Sequence, residues 1–234
     1  MSVADSRATS EKLMREIVLD TETTGLDPRE GHRIVEIACI ELVHHVPTGR
    51  RFHRYVNPER DMPADALAVH GLTAEFLAGQ PLFPAILDEL LTFIGSDPLV
   101  IHNAEFDLAF LNAELARVQR EPIISGFIDT LALARQRFPG SPASLDALCR
   151  RFAIDLSDRI EHGAQIDCSL LAAVYLELLG GRQPGLDFVA PAAFAVDVAR
   201  IVRTPRPHEP SAEELAAHLA MLKTIAEPLW LVEG

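Results

Sequence analysis

The sequence is short of cysteine, of positive charge and of long apolar runs, and each shortage excludes something. Three cysteines, Cys39, Cys149 and Cys168, are spread over 234 residues. They are too few and too scattered for a disulfide framework or a zinc site, so each, set among apolar neighbours, is expected to be a buried thiol. No apolar run approaches the roughly eighteen residues of a membrane span, so a soluble protein with no membrane partner is expected. The opening stretch MSVADSRATSEKLMRE is polar and of mixed charge, with no apolar segment to serve as a secretory signal, and the expected compartment is the cytoplasm. The net charge of -13 has the wrong sign for holding a polyphosphate by Coulomb attraction alone. That argues against a duplex-coating protein. It leaves room for an enzyme whose metal-binding carboxylates belong to the negative total and whose basic partner holds the nucleic acid. Four acids neutralised by two divalent cations would bring -13 only to -9, so the excess is partly explained.

What is present reads as a mixed α/β domain with an appendage. REIVLD, RIVEIACIEL and RRFHRYVNP read as three successive strands with short links, the last ended by its Asn-Pro pair, and so as a meander. PLFPAILDELLTFIGS and AEFDLAFLNAELARV have apolar residues at helical spacing, on either side of the short strand DPLVIHN. GFIDTLALARQRF reads as a strand running into a helix, and SLDALCRRFAI as a helix with Ser144 as its N-cap. The long helix GAQIDCSLLAAVYLELLGG is stopped by Gly180 and Gly181. Beyond it the chain turns proline-rich and loses its period, until Ser211 and Glu214 in capping-box spacing mark one more helix. These features divide the chain into a polar extension over 1–14, a domain over 15–181 and a C-terminal segment over 182–234.

Chemistry enters with IVLDTETTGLD. On a strand, residues two apart face the same way about 7 Å apart, so Asp20 and Glu22 aim together while Thr21 aims away. Two answers are open: repulsion tolerated at a strand end facing water, or a shared cation. Two further acids bear on the choice. Asp107 shares the apolar face of its helix with Phe110 and Leu111, and Asp167 that of Leu170 and Leu171. A buried carboxylate calls for a cationic partner, neutralisation or a metal, and few basic residues are placed to serve. An all-oxygen set selects hard ions, Mg2+ or Mn2+, over zinc. Four acids around two such ions, roughly 4 Å apart, suit phosphodiester hydrolysis, since both the attacking and the leaving oxygen are stabilised. A base must take a proton from the attacking water. His162 would not share a face with Asp167 if both were helical; placed on the loop before Gly163, it has the pKa range for the task.

DTETTGLD, HNAEFD and HGAQID, in this order, resemble the motifs of the DEDDh family of 3′-to-5′ exonucleases, and within it the epsilon, or proofreading, branch of bacterial DNA polymerase III. The likeness spans roughly residues 15 to 180 and includes AVHGLT at 68–73. It implies a ribonuclease H-like mixed sheet flanked by helices, followed by a partly disordered partner-binding tail. It implies that Asp20, Glu22 and Asp167 bind two Mg2+ or Mn2+ ions and contact the substrate, that Asp107 completes the acidic set, and that His162 is the general base. Asp65 and His70 match positions near the terminal nucleotide, although Asp65 departs from the glutamate of the best-known relative. Thr23, His102, Asn103 and Phe106 adjoin the motifs and are candidates for the nucleotide pocket, or for packing. In the tail, Gln183, Leu186 and Phe188 of QPGLDF resemble a peptide that binds the sliding clamp, an extended segment dropping Leu and Phe into apolar pockets. Phe194, Val198, Ile201 and the ending LAMLKTIAEPLWLV are too apolar for a solvated linker; by resemblance they dock on the polymerase catalytic subunit. The expected substrate is a DNA 3′ end, single-stranded or frayed, cut to nucleoside 5′-monophosphates. The alternatives are an RNA-trimming exonuclease with the same site and an idle scaffold between polymerase and clamp.

Overall fold

The computed structural model describes residues 14–157, 163–181 and 209–226. The chain divides into two compact units, 1–187 and 188–234. The first is built on a sheet of five strands: β1 (Arg15–Thr23), β2 (Ile34–Val43), β3 (Val46–Tyr55), β4 (Leu99–Ile101) and β5 (Phe127–Asp129). Their order is β3-β2-β1-β4-β5. The meander pairs antiparallel, and β4 and β5 join β1 in parallel. Parallel entry needs crossovers: α1 (Ala64–His70), α2 (Ala74–Ala78) and α3 (Phe83–Ile94) carry the chain from β3 to β4 and α4 (Ala104–Arg117) from β4 to β5, while α5 (Thr130–Arg137), α6 (Leu145–Arg151) and α7 (Ala164–Leu178) follow the last strand.

Both faces of the sheet are covered, because β1 and β2 are apolar on both of theirs. Ile17, Leu19, Ile37 and Cys39 pack under α3 and α4. The alternate residues Val18, Ala38 and Ile40 pack under α5, α6 and α7. This period-two split places β1 at the centre of the core. All three cysteines are free and buried in these layers, as their apolar settings predict.

Three expectations need correction. β1 continues past Asp20 to Thr23, because pairing with β2 as far as Thr23↔Ile34 holds a polar stretch in the extended form. β3 starts at Val46 rather than Arg50, since His44 and His45 make a two-residue turn with φ of 51° and 65°. Such a turn normally asks for Asn-Gly; here the His44 N–H donates to the Met14 carbonyl at 2.9 Å, and His45 Nδ1 lies 2.7 Å from the buried Glu16 carboxylate. α1 and α2 were not foreseen: they are short and α1 buries only His70. Ser144 does cap α6, accepting from the Ala147 N–H, and Gly180 and Gly181 take positive φ just after α7.

In the second unit, α8 (Ala212–Leu222) begins with the expected capping box between Ser211 and Glu214. Its Leu215, Leu219 and Met221 are about half exposed. Phe194, Val198, Ile201 and the clamp-like residues Gln183, Leu186 and Phe188 lie outside the described residues.

Candidate active site

Strand geometry and one helix crossing bring the acids together. Asp20 and Glu22 occupy the α7 side of β1, in register with Ala38 and Glu36 of β2. A register shift follows between Glu22 and Thr23, and a bulge of this kind turns the strand end away from the sheet. α7 crosses the same face. Its first turn carries Asp167, 5% exposed. Asp20, Glu22 and Asp167 each offer an oxygen, and the three oxygens lie within 4.8 Å of one another.

Asp107 comes from the opposite face. It is 3% exposed on α4, and its Oδ1 accepts a 2.7 Å hydrogen bond from Thr21 Oγ1, the side chain that points away from Asp20 and Glu22. It therefore stands beneath the three-acid group rather than in it. Its charge is nonetheless felt. The Asp20 carboxyl is held well above the ordinary carboxylate range by burial first, and then by the charges of Asp107, Asp167, Glu22 and Glu36. Burial likewise lifts Asp107 to about 7, against the pull of the Thr21 hydroxyl. Acids crowded to this degree are unfavourable unless protonated or compensated by a cation. The donor set is all oxygen, and the like-charge crowding is what a divalent ion relieves, so the residues fit Mg2+ or Mn2+.

Beside the acids lies a cavity of about 560 Å³ lined by Glu22, Thr23, Leu26, Asp65, His70 and Phe106 among others. Most of the predicted substrate set thus converges. Asp65 sits exposed in the first turn of α1, and buried His70 ends that helix, where its Nδ1 accepts from the Leu72 N–H at 3.0 Å. With Nδ1 an acceptor, the ring proton of the neutral form belongs on Nε2. Asn103 lines a neighbouring hollow of about 600 Å³, with Phe106 shared between the two. Asn103 adopts φ 68° before α4, and its N–H donates to Asp129 Oδ1 at 3.0 Å. His102 belongs to neither wall. Its Nδ1 lies 2.9 Å from Thr130 Oγ1, and burial lowers its pKa. His162 lies outside the described residues.

Several participants escaped the sequence reading. His32 lines the cavity and packs face-on against Gly25, where an added Cβ would come within 2.3 to 2.5 Å of three ring atoms. Thr24 Oγ1 lies 3.1 Å from His32 Nδ1 and accepts the Arg33 N–H at 3.0 Å. Arg33 in turn grips the buried Glu114 of α4 with two hydrogen bonds of 2.5 and 2.8 Å. The Gly in TTGLD was the one available signal: a position where backbone must approach closely.

The family model described as Exonuclease matches residues 17–175. The chain belongs to the exonuclease family. The three acids and the residues lining the cavity beside them all fall within the matched span. Within that family it is 50% identical over 222 residues to the DNA polymerase III subunit epsilon of Rickettsia conorii, covering 91% of this chain and 96% of that one. It is 40% identical to the subunit epsilon of Escherichia coli, covering 92% and 95%. Among solved structures, exonuclease X in complex with 5′ overhanging duplex DNA matches with a TM-score of 0.58 at 26% identity, over 70% of this chain and 90% of that one. The nuclease domain of 3′hExo, a DEDDh family member bound to rAMP, matches with a TM-score of 0.61 at 20% identity, over 72% and 93%. The fold is the ribonuclease H-like exonuclease fold, a five-stranded mixed sheet flanked by helices.

Proposed function

We propose that the protein is a proofreading 3′-to-5′ exonuclease of the replicative DNA polymerase, hydrolysing the terminal phosphodiester of a DNA 3′ end and releasing nucleoside 5′-monophosphates. The observation that carries this reading is the approach of Asp20, Glu22 and Asp167 to within 4.8 Å beside a nucleotide-sized cavity. The near-full-length likeness to subunits epsilon supports the choice of DNA as substrate and of the polymerase as partner.

Asp20, Glu22 and Asp167 would hold two divalent ions, Mg2+ or Mn2+. Such ions supply charge stabilisation at the attacking and leaving oxygens. Asp107, buried under the group, adds to the negative field that favours cations there. The cavity formed by Thr23, Asp65, His70 and Phe106 orients the last nucleotide. His162 takes the proton of the attacking water as the new O–P bond forms, and the 3′ oxygen of the shortened strand leaves with the electron pair of its broken O–P bond and is protonated from solvent. Selectivity for errors needs little base reading, because a mismatched end costs a few kcal/mol less to unpair. The acidic surface fits a division of labour in which the polymerase supplies most phosphate contacts. Gln183, Leu186 and Phe188 would engage the sliding clamp, and the apolar face of α8, with the segment after it, the polymerase subunit. The domain division at residue 181 and a cytoplasmic location belong to the same proposal; among the described residues no helix is long and apolar enough to cross a membrane.

The test is degradation of single-stranded oligonucleotides by the full chain with Mn2+. Asp20→Ala is expected to lower the rate by more than about 100-fold, beyond what loss of a merely supporting contact costs, and His162→Ala to lower it strongly. Wild-type rates in Asp20→Ala, or faster turnover of RNA than of DNA, would overturn the reading.

A further inference from the structure

Glu36 is a buried carboxylate, 3% exposed, that the reaction as described leaves unused. It projects from β2 on the α7 side, directly across from Glu22. One of its oxygens, Oε1, lies 2.7 Å from His53 Nε2 on β3. The other, Oε2, accepts the Ala164 N–H at 3.2 Å. Ala164 is the first residue of α7, and Asp167 follows three residues later, within the same turn.

The first N–H groups of a helix have no intrahelical partner, and an N-cap side chain usually takes one of them. α7 has Gly163 at that position and no side-chain cap of its own. The cap comes instead from the neighbouring strand, and its negative charge also suits the positive end of the helix. A second link repeats the pattern one rung down: Cys168 Sγ donates to the Ala38 carbonyl at 3.3 Å, and Ala38 is the residue across from Asp20. Asp20 and Glu22 are therefore each paired with a β2 residue that bonds to α7. The far end of the helix is pinned by Tyr175, whose hydroxyl donates to Glu16 at 2.7 Å.

We propose that Glu36 is a positioning residue: by accepting the Ala164 N–H, it fixes the start of α7 against β2 and so sets the separation of Asp167 from Asp20 and Glu22. This rests on the exonuclease reading above. A shift of the first turn by a fraction of an ångström changes how three oxygens share a cation, whereas the outer cavity that receives the nucleotide is built from other elements. The effect belongs in turnover and not in substrate binding.

The experiment uses the full chain, wild type, Glu36→Asp and Glu36→Gln, with Mn2+ and a single-stranded DNA oligonucleotide. It is paired with backbone amide exchange at Ala164 read by NMR. Aspartate keeps the charge and is one methylene too short to reach both partners. Glutamine loses the charge and keeps both the length and a carbonyl oxygen that accepts the Ala164 N–H. Glu36→Asp is expected to lose roughly 10- to 100-fold in kcat, as for groups that orient metal ligands, with KM within about twofold of wild type. Ala164 exchange should quicken in the same variant. Glu36→Gln should recover most of the turnover and keep Ala164 protected. Wild-type kcat in Glu36→Asp, equal damage in both variants, or unchanged Ala164 exchange in Glu36→Asp would each overturn the proposal. Absence of nuclease activity in the wild type would overturn the functional reading instead, and would leave the exchange comparison to judge the tether.

Discussion

Replacing Asp107 by Asn should flatten the pH dependence of stability in the metal-free protein, and the size of the change follows from burial. The carboxyl is 3% exposed, so solvent screens it little, and it titrates at about 7 in the fold against an ordinary 3.8. A group whose folded pKa is raised contributes stability that is complete below the unfolded value and is lost as pH rises through the folded one. The window is therefore about pH 4 to 7. A displacement of about three pH units at 1.36 kcal/mol each caps the loss at roughly 4 kcal/mol, with roughly 3 kcal/mol of it between pH 5 and 8. Groups remote from Asp107 act alike in both proteins and cancel in the difference, whereas Asp20, whose carboxyl is raised partly by the Asp107 charge, adds to the change in the same direction. Asn retains an oxygen for the Thr21 hydroxyl, so shape is preserved. The assay is urea unfolding with EDTA at half-unit pH steps, wild type against Asp107→Asn. Wild type should lose stability relative to the variant as pH rises. Mn2+ at a hundred times its Kd should return about 2.7 kcal/mol at pH 8, and less at pH 5, where protons compete for the same oxygens. Parallel pH profiles for the two proteins would refute the idea that burial holds this carboxyl up.

Two further changes probe the supports around the site. Gly25→Ala places a methyl group 2.3 to 2.5 Å from the His32 ring; the ring must move, and oligonucleotide KM should rise while melting temperature falls by an amount corresponding to about 1–3 kcal/mol, with an unchanged KM counting against a role for this contact in the cavity. Arg33→Ala strands the buried Glu114 on α4, and breaking such a pair costs about 3–5 kcal/mol; urea unfolding that shows less than about 1 kcal/mol would mean that the pair does not hold α4 to the sheet.

The layered order of the fold was legible because periodicity changes where elements change: alternating or continuous apolar runs for β1 and β2, helical stripes for α3, α4 and α7. β3 began four residues early because two histidines in left-handed conformation gave no turn signal and the anchor, Glu16, lies at the other end of the sheet in sequence terms. α1 and α2 hid because helices that bury one residue each carry no stripe to detect. At the site, Asp20, Glu22 and Asp167 could be grouped from spacing and apolar context. That Asp107 faces Thr21 from below could not, since a helical stripe states burial without stating which face of the sheet is met. Glu36 was invisible for a related reason. In RIVEIACIEL it looks like one polar residue in a buried run, and only the crossing of α7 gives it an N–H to accept.

The most direct test of the account is anomalous diffraction from crystals of the protein grown with Mn2+. The account predicts manganese peaks bound by the carboxylates of Asp20, Glu22 and Asp167. Full Mn2+ occupancy at other sites with no peak among these three side chains would contradict it.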